Sequence, residues 1–177
     1  FKIKRGEKIG IIGESGSGKT TFVDLLTGLI DPVRGQIKID GLNLLNIKFN
    51  WFNLIGYMSQ KSFIIDGTIR ENILFGNNES SDEEIKKILQ LVQFNDFNKN
   101  SKFNLDNLVD ENGANFSGGQ LQRLVLARTL IKKPEIVILD ECTSALDKNN
   151  ESKILNNLIN ADFLKTLIII SHRKEIL

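Results

Sequence analysis

Eight residues, Gly13-Glu14-Ser15-Gly16-Ser17-Gly18-Lys19-Thr20, constrain this chain more than any other stretch. They fit the phosphate-loop pattern G-x-x-x-x-G-K-[ST] at every fixed position. A phosphate needs many donors at close range, and Gly13, Gly16 and Gly18 let the backbone bend so that successive N–H groups point into one concavity. Lys19 adds a positive charge at the outer phosphates, and the Thr20 hydroxyl is a suitable Mg²⁺ ligand. Ile9, Ile11 and Ile12 read as a short buried strand leading into the loop. Behind it Phe22, Val23, Leu25, Leu26 and Leu29 recur at helical spacing. Such a helix aims its N-terminus and the positive end of its dipole at the same anion. The plain alternative is a glycine-rich turn without a ligand, so the rest of the chain decides.

Residues 1–12 read as extended, Gly28 as a helix cap and residues 31–35 as a turn. Ile37 and Ile39 alternate with polar neighbours as a half-exposed strand ending at Asp40-Gly41. After an irregular region around Trp51, Leu54 to Met58 reads as a strand that delivers Gln60 just past its end. In open α/β sheets that is where ligands bind. From 61 to 116 the pattern becomes helices and loops, with a capping box at Ser81 and Glu84 before Ile85, Ile88, Leu89 and Val92. The asparagine-rich stretch from Asn95 to Asn107 reads as loop. Residues 61–116 are therefore expected to form a mostly helical insertion.

Ser117-Gly118-Gly119-Gln120 opens another helix, whose face is Leu121, Leu124, Val125, Arg128 and Ile131. Ser117 as N-cap and Gln120 three residues on make a second capping box. The two glycines leave the N–H groups of that helix start uncovered, a second potential anion site. After Pro134, Ile136 to Leu139 is a continuous apolar run suited to a central parallel strand, and it ends in Asp140-Glu141. Two carboxylates at the mouth of a buried strand suit Mg²⁺ binding and activation of a water. Ser144 to Asp147 then turns into a helix with Ile154, Leu155, Leu158 and Ile159. A last strand, Leu167 to Ile170, presents Ser171 and the single histidine, His172.

The chain has 177 residues and a net charge of +1, which points to one soluble domain and gives no reason to expect nucleic acid as a partner. A lone cysteine, Cys142, excludes an internal disulfide. No apolar run approaches the roughly 20 residues of a membrane helix. The chain opens on Phe1 with its only methionine at Met58, as expected of a domain cut from a longer polypeptide.

In this order the motifs resemble the nucleotide-binding domain of ATP-binding cassette (ABC) transporters along nearly the whole chain. Gly13 to Thr20 is similar to the Walker A loop, with Thr21 following. Gln60 resembles the Q-loop glutamine, and Phe116 to Gln120 the signature. Ile136 to Glu141 resembles Walker B with its catalytic glutamate, Ser144 to Asp147 the D-loop, and His172 the switch histidine. Asp66 to Gly76 and Asp110 to Gly113 look like segments of exporter-type cassettes, which implies substrate export or lipid flipping rather than import. The resemblance departs at Phe116, where leucine is commonest, at Cys142, often alanine, and at Asp110, usually glycine. This last departure leaves the domain-coupling role of Glu111 open.

The resemblance implies an α/β fold: a RecA-like P-loop NTPase core with a mainly parallel sheet (1–60 and 117–177) and an inserted α-helical subdomain (61–116). It implies ATP and Mg²⁺ as cofactors, with Gly13, Glu14, Ser15, Gly16, Ser17, Gly18, Lys19, Thr20 and Thr21 on the ATP. Thr20, Gln60 and Asp140 would serve the metal, and Glu141, His172 and Gln60 would be catalytic. Ser117, Gly118, Gly119 and Gln120 would meet the ATP of a second nucleotide-binding domain in a head-to-tail dimer. A transmembrane domain, on the same full-length polypeptide or on a partner, would place this one at the cytoplasmic face of a membrane. Competing readings are a soluble ABC ATPase acting on ribosomes or DNA, and a nucleotide-gated interaction module that does not hydrolyse.

Overall fold

The computed structural model describes residues 1–14, 16–61, 63–76, 79–94, 104–110, 113–141 and 146–172. Its elements in chain order begin with β1 (Lys8–Ile12), α1 (Lys19–Thr27), β2 (Lys38–Ile39), β3 (Leu42–Asn43), α2 (Leu44–Leu54) and β4 (Ile55–Met58). There follow β5 (Gly67–Thr68), α3 (Ile69–Ile73), α4 (Asp82–Leu91) and β6 (Leu108–Val109). The chain then runs through α5 (Gly118–Leu130), β7 (Ile136–Asp140), α6 (Lys148–Ile159) and β8 (Thr166–Ser171). The central sheet has the order β1-β8-β7-β4, and every pairing in it is parallel. Parallel neighbours need crossovers, and α6 supplies the one between β7 and β8.

Side chains alternate across this sheet, so each strand feeds two cores. Val137, Leu139, Leu167 and Ile169 pack with Met58 and with buried residues of α3, α4, α5 and α6. Ile138, Ile168 and Ile170 face the other way, onto Val23 of α1, with Ile11 and Tyr57 at the margin. Register keeps the layers in line: Tyr57 lies beside Ile138, Ile138 beside Ile168, and Ile9 beside Ile168 from the far side. All strands run the same way, so Ile12, Met58, Asp140 and Ser171 finish at one edge, and the loops carrying the candidate site leave from there.

The expected capping boxes form at Ser81 with Glu84 and at Ser117 with Gln120, and an unforeseen third joins Thr68 to Glu71 at the start of α3. Between β4 and α5 the chain builds α3, α4 and the two-stranded antiparallel ribbon of β5 and β6. Its buried residues share one cluster with the sheet. Four expectations need correction. The region around Trp51 is helix α2, held by the Trp51 Nε1–H donating to the Leu26 carbonyl at 2.9 Å. Residues 1–12 are a strand only from Lys8, because a turn at Arg5-Gly6 precedes it. β1 is not buried: among the described residues it is an edge strand paired on one side only, and Ile12 is 45% exposed. Leu29 lies past the end of α1 and faces solvent. Cys142, Ser144, Ala145 and Glu111 lie outside the described residues, as do Ser15 and most of the asparagine-rich stretch.

Candidate active site

Between β1 and α1 the chain turns at Gly16 and Gly18, whose φ angles of 79° and 88° favour a residue without Cβ. At Gly13 a Cβ would stand 2.5 Å from Ser17 Oγ, so a larger residue there would make the serine side chain turn away. Gly18 is the N-cap of α1 and brings no side-chain hydrogen bond. The first-turn N–H groups of α1 therefore look outward, with no acidic residue in that turn. This arrangement suits an anion.

An open cleft of about 250 Å³ lies over this turn, lined by Gly16, Gly18, Lys19, Thr20, Thr21, Gln60, Asp140 and Glu141. Three separate loops thus deliver their polar residues to one place. Lys19 Nζ donates to the carbonyls of Gly13 and Glu14, both at 2.8 Å, and stands 3.7 Å from Glu141 Oε1. Gln60 Nε2 donates to Glu141 Oε2 at 2.9 Å, which leaves its own Oε1 as an acceptor. His172 Nδ1 is 3.7 Å from Glu141 Oε1, and its side chain is 59% exposed where that of Glu141 is 19%. Glu141 is therefore the point on which Lys19, Gln60 and His172 converge. Its backbone is left-handed, with φ 49°, and its N–H donates to the Ile170 carbonyl at 3.0 Å. A side chain other than glycine, asparagine or aspartate in that region is uncommon, and such backbone strain clusters at active sites.

Asp140 closes the cleft from below and is buried. Burial, and next the charge of Glu141, push its carboxyl above the usual range, while Lys19 pulls it back. Tyr57, at the end of β4, bonds its side chain to Asp140. A buried carboxylate disfavoured as an anion, a threonine hydroxyl and an amide oxygen are hard oxygen donors of the sort Mg²⁺ takes together with water. The donor set fits that ion. Among the described residues no group of three or more His, Cys, Asp or Glu forms a ready-made metal cage. Mg²⁺ ordinarily keeps several waters and shares phosphate oxygens, so a dedicated cage is not required.

The second glycine-opened helix start lies elsewhere. Ser117 accepts the Gln120 N–H at 3.3 Å and Gln120 Oε1 accepts the Ser117 N–H at 2.8 Å. Gly118 and Ser117 are exposed, and none of the four residues Ser117 to Gln120 lines the cleft. Sequence reasoning missed Tyr57, although a hydroxyl-bearing aromatic in a buried strand three residues before Gln60 was a signal. It also gave Arg128 no role beyond membership of a helix face.

The family described as ABC transporter matches residues 1–144. The ATP-dependent permease MDL1 of Candida albicans is 43% identical over 175 residues, 97% of this chain and 26% of its own length. P-glycoprotein 14 of Caenorhabditis elegans is 37% identical over 172 residues, 97% of this chain and 13% of its own. Among solved structures, a bacterial Atm1-family ABC exporter with ATP bound superimposes with a TM-score of 0.91 at 34% identity, over 99% of this chain and 31% of the exporter chain. The chain thus spans less than a third of these relatives. No helix among the described residues is long and apolar enough to cross a membrane.

Proposed function

Because the chain belongs to the ABC transporter family, we propose that it is the ATP-binding and ATP-hydrolysing motor domain of an exporter. On this reading residues 1–60 and 117–177 bind nucleotide, and residues 61–116 form the helical subdomain. The longer protein carries membrane-spanning segments on the same polypeptide, and this domain works at the cytoplasmic face. Relatives named as a permease, a P-glycoprotein and an exporter support export as the direction of work.

Gly13, Glu14, Ser15, Gly16, Ser17, Gly18, Thr20 and Thr21 surround the phosphates, and Lys19 exchanges its two loop carbonyls for the outer phosphate oxygens. Thr20, Gln60 and Asp140 hold Mg²⁺, whose chemistry is to neutralise charge that develops on those oxygens. Glu141 accepts a proton from the attacking water. His172 and Gln60 hold the glutamate in register, and His172 bonds the terminal phosphate. Most of the catalysis is then positioning and charge stabilisation.

The observation that carries this reading is the convergence of Lys19, Gln60 and His172 on Glu141 in a cleft that also holds Thr20 and Asp140. Ser117 to Gln120 lie outside that cleft. Their uncovered helix start is accounted for by a head-to-tail dimer, where it meets the terminal phosphate of the partner's ATP. The test is ATP hydrolysis by the full-length protein in lipid beside its Glu141→Gln form. Nucleotide binding should survive in the variant while turnover falls by about 10²–10⁴-fold, the range for losing a general base. Near-normal hydrolysis in Glu141→Gln would refute the assignment. Bound ATP with no turnover in the wild type would favour an interaction module.

A further inference from the structure

Arg128 lies in α5, ten residues after Gly118, about 15 Å along the helix from its start. Its guanidinium makes three hydrogen bonds: Nε to the Asn72 carbonyl at 2.6 Å, Nη2 to Asn72 Oδ1 at 2.8 Å, and Nη1 to the Phe63 carbonyl at 2.8 Å. Asn72 is fully buried and extends the connection. Its Nδ2 donates to the carbonyls of Ile65 (2.9 Å) and Thr68 (3.1 Å), and its Oδ1 accepts the Ile65 N–H at 3.0 Å. The rings of Phe63 and Phe75 lie 5.0 and 5.4 Å from the guanidinium carbon. Arg128 thus ties α5 to Phe63 and to Asn72 of α3, and the Asn72 side chain ties α3 to Ile65.

This cation is partly buried, and among the described residues it has no carboxylate partner. Burial draws its pKa down from the ordinary arginine value. Neutral carbonyls and two aromatic faces are all that compensate it. A hydrocarbon side chain would fill such a place at lower cost, whereas only the planar five-donor fork makes these bonds together. The residues it holds begin three positions after Gln60. Gln60 is also fixed on its other side by β4, which ends at Met58. Three residues of chain reach at most about 11 Å, so where Phe63 is held limits where Gln60 can go.

We propose that Arg128 is a positioning residue that fixes the segment carrying Gln60 to the helix carrying Ser117, so that these two parts of the machinery move as one body. The inference rests on the head-to-tail reading above, in which Gln60 serves the chain's own ATP and Ser117 serves the partner's. Through Arg128, occupancy of one site then sets the geometry of the other. ATP binding alone is left to the phosphate loop, which Arg128 does not touch.

The experiment compares full-length wild type, Arg128→Lys, Phe75→Leu and Glu141→Gln in lipid, measuring kcat, KM and the Hill coefficient for ATP together with the melting temperature. Lysine keeps the charge and loses the fork. Arg128→Lys should lower kcat by about tenfold or more with KM nearly unchanged, because misplacement of a reacting group costs turnover rather than binding. Its Hill coefficient should fall from above 1 toward 1. Phe75→Leu removes one ring face and leaves the hydrogen bonds, so it should show a smaller loss of the same kind, and it decides the matter if Arg128→Lys does not fold. A lowered melting temperature with kcat and Hill coefficient unchanged in the folded protein would make Arg128 merely structural and overturn the inference. A wild-type Hill coefficient of 1 with Glu141→Gln inactive would overturn it while leaving the motor intact. Equal hydrolysis by wild type and Glu141→Gln would bring down the motor reading and this inference with it.

Discussion

Burial first, and then the charge of Glu141, hold the Asp140 carboxyl above its ordinary range, with Lys19 acting in the opposite direction. The folded chain therefore binds that proton more tightly than the unfolded chain does. By linkage its contribution is destabilising at neutral pH and disappears as pH falls through the raised value to the unfolded one, about 3.9. Asp140→Asn should accordingly raise the melting temperature of the nucleotide-free protein at pH 7, and the gain should vanish near pH 4. With ATP present it should also weaken the stabilisation that Mg²⁺ adds. Thermal melts across that range check both, and a variant less stable than wild type at pH 7 contradicts the account. Asp140 and Glu141 were legible because a carboxylate pair after four apolar residues has few other uses. Tyr57 left only a weak signal, its place in a strand just before Gln60, and Arg128 left none, since each acts through contacts with residues distant in sequence.

Helix starts separate structure from function at the next scale. Ser81 and Ser117 build the same capping box, on α4 and α5 respectively, with the same bonds. Replacing either by alanine should cost about 1 kcal/mol of stability. Only Ser117→Ala should also reduce ATP turnover, and denaturant melts read beside hydrolysis rates test the contrast. The carboxylates Glu71, Glu84 and Asp147 at helix starts sit below their ordinary pKa values, Glu71 and Asp147 through backbone hydrogen bonds first and Glu84 through Lys133 first. Stability from such depressed groups is present above their unfolded values and is lost as pH falls through the lowered ones. Stability should therefore begin to fall below about pH 4, and a rise there would contradict the capping geometry. The caps of α4 and α5 were readable because they lie within four residues of sequence. Helix α2 was not, because its apolar residues go all the way round. Leu44 and Trp51 are buried while Phe49 is 79% exposed, so no single stripe stands out.

At the scale of the whole molecule, four parallel strands bring the loops after β1, β4, β7 and β8 to one edge, and the order β1-β8-β7-β4 sets which loops are neighbours. That order places the Glu141 loop next to both Gln60 and His172. The strands β7 and β8 could be read from their continuous apolar runs, and the motif order identified the family. Neighbour order within a sheet has no local signature, and the exposed edge position of β1 followed only from the pairing. On the proposed reading the cleft and the Ser117 helix start are halves of two different sites, each completed by a second nucleotide-binding domain. The direct measurement is cross-linking of full-length Glu141→Gln protein, its native cysteines replaced, with new cysteines at Ser17 and Ser117. A link from one domain's Ser17→Cys to the other's Ser117→Cys should form with ATP and Mg²⁺ and not without them. No nucleotide-dependent link, or one joining the two positions within a single domain, would contradict it.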